Sequence, residues 1–221
     1  MHKTLLPLWL AAAMAGCATS AMLPDPAVDI DRAAQKHQDT AVFAGGCFWG
    51  VEAVFEQLAG VDRVLAGFAG GDAISAHYEI VGSGLTHHAE SVEIAYDPTK
   101  ISYGQLLKIF FAVAHDPTQK NRQGPDSGPQ YRSAIFYKDL EQKRIAEAYI
   151  KQLGDAQVFK KPIVTEVTAL SRFYPAEGYH QQFVKRNPDY PYVVYNDLPK
   201  LAMLKKEYAP MLKTMLKNEP K

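Results

Sequence analysis

The sequence is poor in cysteine. Two occur in 221 residues, Cys17 and Cys47, which excludes a disulfide framework. A charge excess is also missing: 24 Lys and Arg balance 24 Asp and Glu. There is no basic stripe, which argues against nucleic acid as a partner. No repeat or low-complexity segment stands out. The apolar stretch at the start, Thr4 to Ala15, is too short to span a bilayer comfortably. Aromatic rings, by contrast, are plentiful, with 12 Tyr and 10 Phe. The length suffices for one domain with a real core and some decoration.

The N-terminus reads as a processing segment. Met1-His2-Lys3 is a short basic start, and the apolar stretch after it has the character of a signal-peptide h-region. Met14-Ala15-Gly16-Cys17 resembles a bacterial lipobox, although Met14 departs from the usual leucine. This predicts a lipoprotein signal peptide over 1–16 and lipidation of Cys17. Ordinary cleavage after Ala18 or Ala21 is the alternative. Ala18, rather than Asp, follows the cysteine. By resemblance to Gram-negative sorting rules, that implies a periplasmic protein anchored to the outer membrane by lipid. Residues 17–39 are polar with scattered Pro and Asp, and read as a tether to a domain over 40–221.

The stretch Thr40 to Gly50 organises that domain. Ala41 to Ala44 reads as a short buried strand. Gly45 and Gly46 permit a tight turn. Phe48 to Leu58 reads as a helix with Val51, Val54, Phe55 and Leu58 on its apolar side. Cys47 therefore sits at a strand-to-helix turn. Unpaired amides at a helix N-terminus favour an anion, so the thiol is expected to ionise near neutral pH and serve as a nucleophile. The plainer alternative is a small buried apolar residue in a Gly-rich turn. Phe48 and Trp49 wall a pocket in the first reading and fill the core in the second.

The remaining elements follow by periodicity. Gly60 reads as the C-cap that closes the first helix, and Val61 to Phe68 reads as a strand. A glycine-rich loop over 72–84 holds His77 and Tyr78. Ser91 to Tyr96 alternates as a strand. Ser102 to Gln105 has capping-box spacing and opens a helix to Ala114. A long polar loop spans Thr118 to Gln130; such loops are usually functional or disordered. Tyr131 to Tyr137 is a strand, Leu140 to Leu153 an amphipathic helix and Ile163 to Thr168 a strand. A short helix over Ala176 to Phe183 and a basic one over Leu198 to Leu216 complete the chain. The order predicts an α+β fold, a mixed α/β sandwich with a ferredoxin-like split βαβ core.

Several polar residues invite two readings each. Glu90 is either a solvated strand-end carboxylate or an acid in a site. Asp126 before Ser-Gly reads as a turn residue, and Tyr131 as a strand aromatic. His77, His87 and His88 suggest a metal only weakly. Adjacent histidines on an extended segment point to opposite sides, and nothing completes a familiar ligand spacing. No metal is expected.

Gly46-Cys47-Phe48-Trp49-Gly50 resembles the active-site signature of the A-type peptide methionine sulfoxide reductases. His88-Ala89-Glu90, the segment from His115 to Ser133, Tyr174 to Glu177 and Tyr179-His180-Gln181 resemble further blocks of that family, in its order and spacing. The resemblance covers about residues 40 to 190 and implies thiol-dependent reduction of methionine S-sulfoxide to methionine, repairing oxidised proteins. By it, Cys47 is the nucleophile and passes through a sulfenic acid. Glu90 is the acid that protonates the sulfoxide oxygen, a role that needs a carboxyl pKa raised by burial. Tyr78 and Tyr131 hydrogen-bond that oxygen, Phe48 and Trp49 cage the substrate methyl, and Asp126 helps hold the substrate.

The chain departs from that family in places. The segment after Asn187-Pro188 holds no cysteine, where many relatives carry resolving cysteines. Gly82 stands where many have another, and His87 where glycine is usual. No bound cofactor is expected. Regeneration falls to an external thiol: a thioredoxin-like protein, a glutaredoxin system or a small thiol. The expected partners are oxidised methionine-containing proteins and peptides and that reductant, acting on a monomer. Two rivals remain: a cysteine hydrolase with His88 or His180 as base, and a non-catalytic module that binds methionine-rich partners through Phe48 and Trp49.

Overall fold

The protein is described here from a computed structural model covering residues 22–30 and 38–214. The expected signal peptide and Cys17 lie outside the described residues. Within them, a six-stranded sheet carries the fold, in the order β7-β6-β1-β3-β2-β8. These strands are β1 (Asp39–Gly45), β2 (Val61–Ala69), β3 (Ala89–Tyr96), β6 (Ser133–Tyr137), β7 (Glu166–Ala169) and β8 (Phe173–Pro175). β4 (Arg122–Gln123) and β5 (Asp126–Ser127) form a separate small hairpin inside the long polar loop. β1 and β2 both run antiparallel to β3, which lies between them. They are joined by helix α1 (Phe48–Glu56). That is the split βαβ arrangement.

Alternation along β1 explains the two faces. Ala41 and Phe43 point into the main core with Val92, Ile94 and Ile135. Val42 and Ala44 face a thinner layer with Ala134 and Phe136, covered by Leu170 and Phe173. The main core is closed by α1, α3 (Tyr103–Ile109), α4 (Leu140–Asp155) and α6 (Leu198–Glu207). The expected capping box opens α3: the Ser102 hydroxyl accepts from the Gln105 N–H, and the Gln105 side chain accepts from the Ser102 N–H. Beyond α3 the helix widens into a π-helical turn, Phe110–Ala114, with Phe110 stacked on Phe43 at 4.9 Å between ring centroids.

The structure differs from the sequence reading in several elements. α1 ends at Glu56 because Leu58 leaves the helix to bridge Leu212. Gly60 instead turns the chain into β2 with φ of +89°, a conformation that suits glycine. The glycine-rich loop contains a short helix, α2 (Tyr78–Val81). The strand expected from Ile163 begins at Glu166, where it meets the open edge of β6. The helix expected over 176–183 is displaced to α5 (Phe183–Arg186), since Gln182 is left-handed with φ of +53°. α6 stops at Glu207, before Pro210. β8 carries no alternating apolar signal; pairing with β2 makes it a strand.

Residues 22–30 are docked rather than a free tether. Leu23 is buried. The Tyr149 hydroxyl donates to the Pro24 carbonyl at 2.8 Å, and Gln152 bonds both Ala27 N–H and the Asp25 carbonyl. The Asp29 carboxylate accepts from the Ser102 hydroxyl and from the Gly104 N–H, so it caps α3. Among the described residues no helix is long and apolar enough to cross a membrane.

Candidate active site

The end of β1, the start of α1 and the start of β3 meet at one point. Gly46 makes the turn possible: its φ is +87°, and a Cβ there would lie 2.5 Å from the Gln123 side chain. Cys47 is the N-cap of α1. Glu90, the second residue of β3, is brought beneath that helix end, where its Oε2 accepts from the Phe48 N–H at 3.1 Å. A cavity of about 190 Å³ opens above them. It is lined by Cys47, Phe48, Trp49, Tyr78, Glu90, Asp126, Tyr131, Tyr190 and Tyr192. Every cavity residue that the sequence singled out is therefore gathered in one place.

The surroundings of each side chain follow from burial. Glu90 is 2 % exposed, so it is not a solvated strand end. Desolvation pushes its pKa up to about 8, against the opposing hydrogen bond from Phe48. At neutral pH it is a protonated acid. Burial likewise raises the Tyr78 phenol to about 12 and the Tyr131 phenol further, so both remain hydroxyl donors. Asp126 is raised by partial burial and is held by the Tyr192 hydroxyl, which donates to its Oδ2.

Cys47 corrects an expectation. Its place at the helix N-terminus predicts a thiolate near neutral pH, yet the thiol is pushed well above its ordinary range. Burial is the largest cause; Glu90, where it is ionised, and Asp197 add to it, with Asp126 a lesser contributor. The hydrogen bond from the Trp49 N–H works the other way but does not prevail. The amide of Phe48, which would have served the sulfur, is already engaged by Glu90. Cys47 in the free protein is a thiol.

The aromatic wall is fixed from behind. The Trp49 indole stacks on Phe183 at 3.8 Å and 9° between planes. Its N–H donates to His180 Nδ1 at 3.2 Å. His180 is buried, packs on Phe48 and Tyr78, and is held neutral by desolvation. Tyr78 is anchored through its backbone N–H to Glu177 Oε1 at 3.1 Å. His88 Nε2–H donates to the Asp72 carbonyl at 2.9 Å. Neither His88 nor His180 lines the cavity, so the hydrolase alternative has no base beside the sulfur.

Sequence reasoning missed Tyr190, Tyr192 and Asp197. The density of rings in Asp189-Tyr190-Pro191-Tyr192 is the available signal. Edge-on contacts of Trp49 with Tyr190 and Tyr192, at 6.3 and 5.8 Å, show what those rings do.

Known proteins resemble this chain in sequence and in fold. The family pattern of peptide methionine sulfoxide reductase matches residues 39–212. The chain is 56% identical over 196 residues to peptide methionine sulfoxide reductase MsrA 2 of Synechocystis sp., covering 88% of this chain and 92% of the relative. It is 57% identical over 176 residues to MsrA 2 of Mesorhizobium japonicum, covering 80% and 90%. Methionine sulfoxide reductase A of Corynebacterium diphtheriae superposes with a TM-score of 0.59 at 37% identity, covering 72% of this chain and 78% of that one. Reduced Mxr1 of Saccharomyces cerevisiae gives a TM-score of 0.64 at 29% identity, covering 69% and 87%. The chain belongs to the peptide methionine sulfoxide reductase family, oxidoreductases that use thiols to reduce methionine sulfoxide and so repair oxidised proteins.

Proposed function

We propose that this chain reduces the S epimer of methionine sulfoxide, free or in a polypeptide, with Cys47 as nucleophile and Glu90 as acid. The observation that carries the reading is the convergence of Cys47, a protonated Glu90 and the two phenols on one small cavity. The sulfoxide oxygen lies towards Glu90, Tyr78 and Tyr131, and the methyl group lies between Phe48 and Trp49. The R epimer would exchange methyl and oxygen, placing a polar atom against the rings and leaving three donors unpaired. Asp126, held by Tyr192, meets the substrate at the rim.

The atoms balance with one thiol. Sulfur of Cys47 attacks the sulfoxide sulfur as Glu90 gives its proton to the oxygen, and the emptied carboxylate takes up the thiol proton. An S–S bond forms between the two sulfurs and the S–O bond breaks, the oxygen leaving as water with a second proton from Glu90. That water attacks Cys47 Sγ and returns a proton to Glu90. The S–S bond breaks with its electron pair going to methionine, and Cys47 is left as a sulfenic acid. Two equivalents of an external thiol then return Cys47 to the thiol, releasing a disulfide and water. A thioredoxin-like protein, a glutaredoxin system or a small thiol meets that need. The absence of a cysteine between Asn187 and Lys221 supports the external route.

Single turnover without added thiol tests the reading. About one methionine per Cys47 from the S epimer alone, with a dimedone-reactive sulfur left behind, is expected. Equal yield from both epimers, or none from either, would sink it. The lipobox-like Met14 to Cys17 supports a lipid anchor on the periplasmic face of the outer membrane. Mass spectrometry of the mature N-terminus checks this, and an unmodified start downstream of Cys17 removes the anchor.

A further inference from the structure

Asp197 is the last residue of a π-helical turn, Val193–Asp197, that leads into α6 and packs against α1. It is 1% exposed. Among the described residues, neither carboxylate oxygen has a hydrogen-bond partner. The Lys200 ammonium on α6 lies 3.5 Å from Oδ1. A buried carboxylate without hydrogen bonds is costly, and an ion pair alone compensates it only in part. Something else must make this position tolerable.

Gly50 shows what that is. A Cβ at Gly50 would lie 2.1 Å from Asp197 Oδ1 and 2.8 Å from Lys200 Nζ. The carboxylate therefore rests against the first turn of α1, where the helix end carries partial positive charge. Three acidic groups share that helix end. Glu90 takes the Phe48 N–H, the Cys47 sulfur takes the Trp49 N–H, and Asp197 leans on Gly50.

We propose that Asp197, held by Lys200, is a positioning residue that competes with the Cys47 sulfur for the positive end of α1 and so adds to the burial that keeps the sulfur a thiol. One helix end and one ammonium cannot neutralise three anions. Asp197 is the member with a cation beside it, so it keeps the negative charge. Its burial raises its pKa only to about 6, and Lys200 opposes the rise. That charge disfavours a second anion at the Cys47 sulfur. A thiol is the poorer nucleophile towards peroxides and disulfides. The arrangement thus withholds the sulfur from adventitious oxidation until a sulfoxide occupies the cavity. The other groups facing Cys47 are Asp126 from β5 and the phenols of Tyr78, Tyr131 and Tyr192. Lys200 also lies within electrostatic reach of Asp126 and His115.

The inference rests on Cys47 as the reactive sulfur, but its test needs no substrate. The rate of Cys47 alkylation by iodoacetamide is followed against pH in the full domain and in Asp197→Asn. Removing the charge should lower the alkylation midpoint by about one pH unit. Gly50→Ala is a second, independent variant that keeps the charge but pushes it off the helix end. It should move the midpoint the same way by less. A structural defect alone would not shift a midpoint downward in both variants. An unchanged or raised midpoint in either folded variant, with near-UV circular dichroism like the parent, overturns the proposal. If Asp197→Asn does not fold, Gly50→Ala decides the matter under the same criteria. Failure of alkylation control would leave sulfoxide turnover intact, and loss of turnover would leave the midpoint shift readable, so the two readings fail separately.

Discussion

Residues 22–30 and residues 190–200 are both strips laid over helices, yet only the second reaches the cavity. The first ties α3, α4 and the core through Leu23, Gln152, Tyr149 and Asp29. The second sets Tyr190 and Tyr192 on the cavity wall and Asp197 on the start of α1. The difference lies in what each strip touches. Caps and carbonyls give the first strip leverage over stability. Phenols and a carboxylate near the sulfur give the second leverage over chemistry.

Glu90 sets the upper end of the scale against which either strip is judged. Glu90→Gln should lower sulfoxide turnover by about 10²–10⁴-fold, since the proton donor is lost while the hydrogen bond to Phe48 persists. Single-turnover yield measures it. The pH profile sharpens the same point. Glu90 is protonated below about 8, so turnover should fall as pH rises through that value. Alkylation of Cys47 should rise only at higher pH, because burial holds the thiol proton well above its ordinary range. Parallel profiles for the two reactions would remove Glu90 as the acid.

In the first strip, Leu23→Ala should cost about 2 kcal/mol of unfolding free energy, with kcat unchanged. Denaturant titration and steady-state kinetics read the two quantities. A matching fall in kcat would break the division between strips. In the second, Tyr192→Phe removes the donor that holds Asp126. Turnover should drop about tenfold, with stability altered by no more than about 1 kcal/mol. The smallest effect is expected of Asp29→Ala, which removes a cap from α3 and should cost about 1 kcal/mol without touching turnover.

Much of the site was legible because it is local. The strand, glycine turn and helix around Cys47 are contiguous, so spacing alone places the sulfur at a helix start. The capping box at Ser102 and the left-handed glycine turns are likewise short-range. Asp126 and Tyr131 lie in the long polar loop whose length marked it as functional. Its small hairpin and the 3₁₀ turn Pro129–Tyr131 deliver both to the cavity. β8 was not legible, because three residues become a strand only by pairing with β2. The helix expected at 176–183 failed where Gln182 turns left-handed, its N–H donating to the buried Glu52 carboxylate at 2.9 Å.

The sequence by itself determined the family, the candidates Cys47 and Glu90, and the lack of cysteine in the segment after Asn187. Residue identity and short spacing are enough for each of these. Only the tertiary structure decided the protonation of that sulfur, the docking of residues 22–30 and the approach of Asp197 to Gly50. Ionisation depends on burial and on charges that arrive through space. Cys47 is 43 residues from Glu90 and 150 from Asp197 along the chain, and no spacing rule carries their fields across those separations.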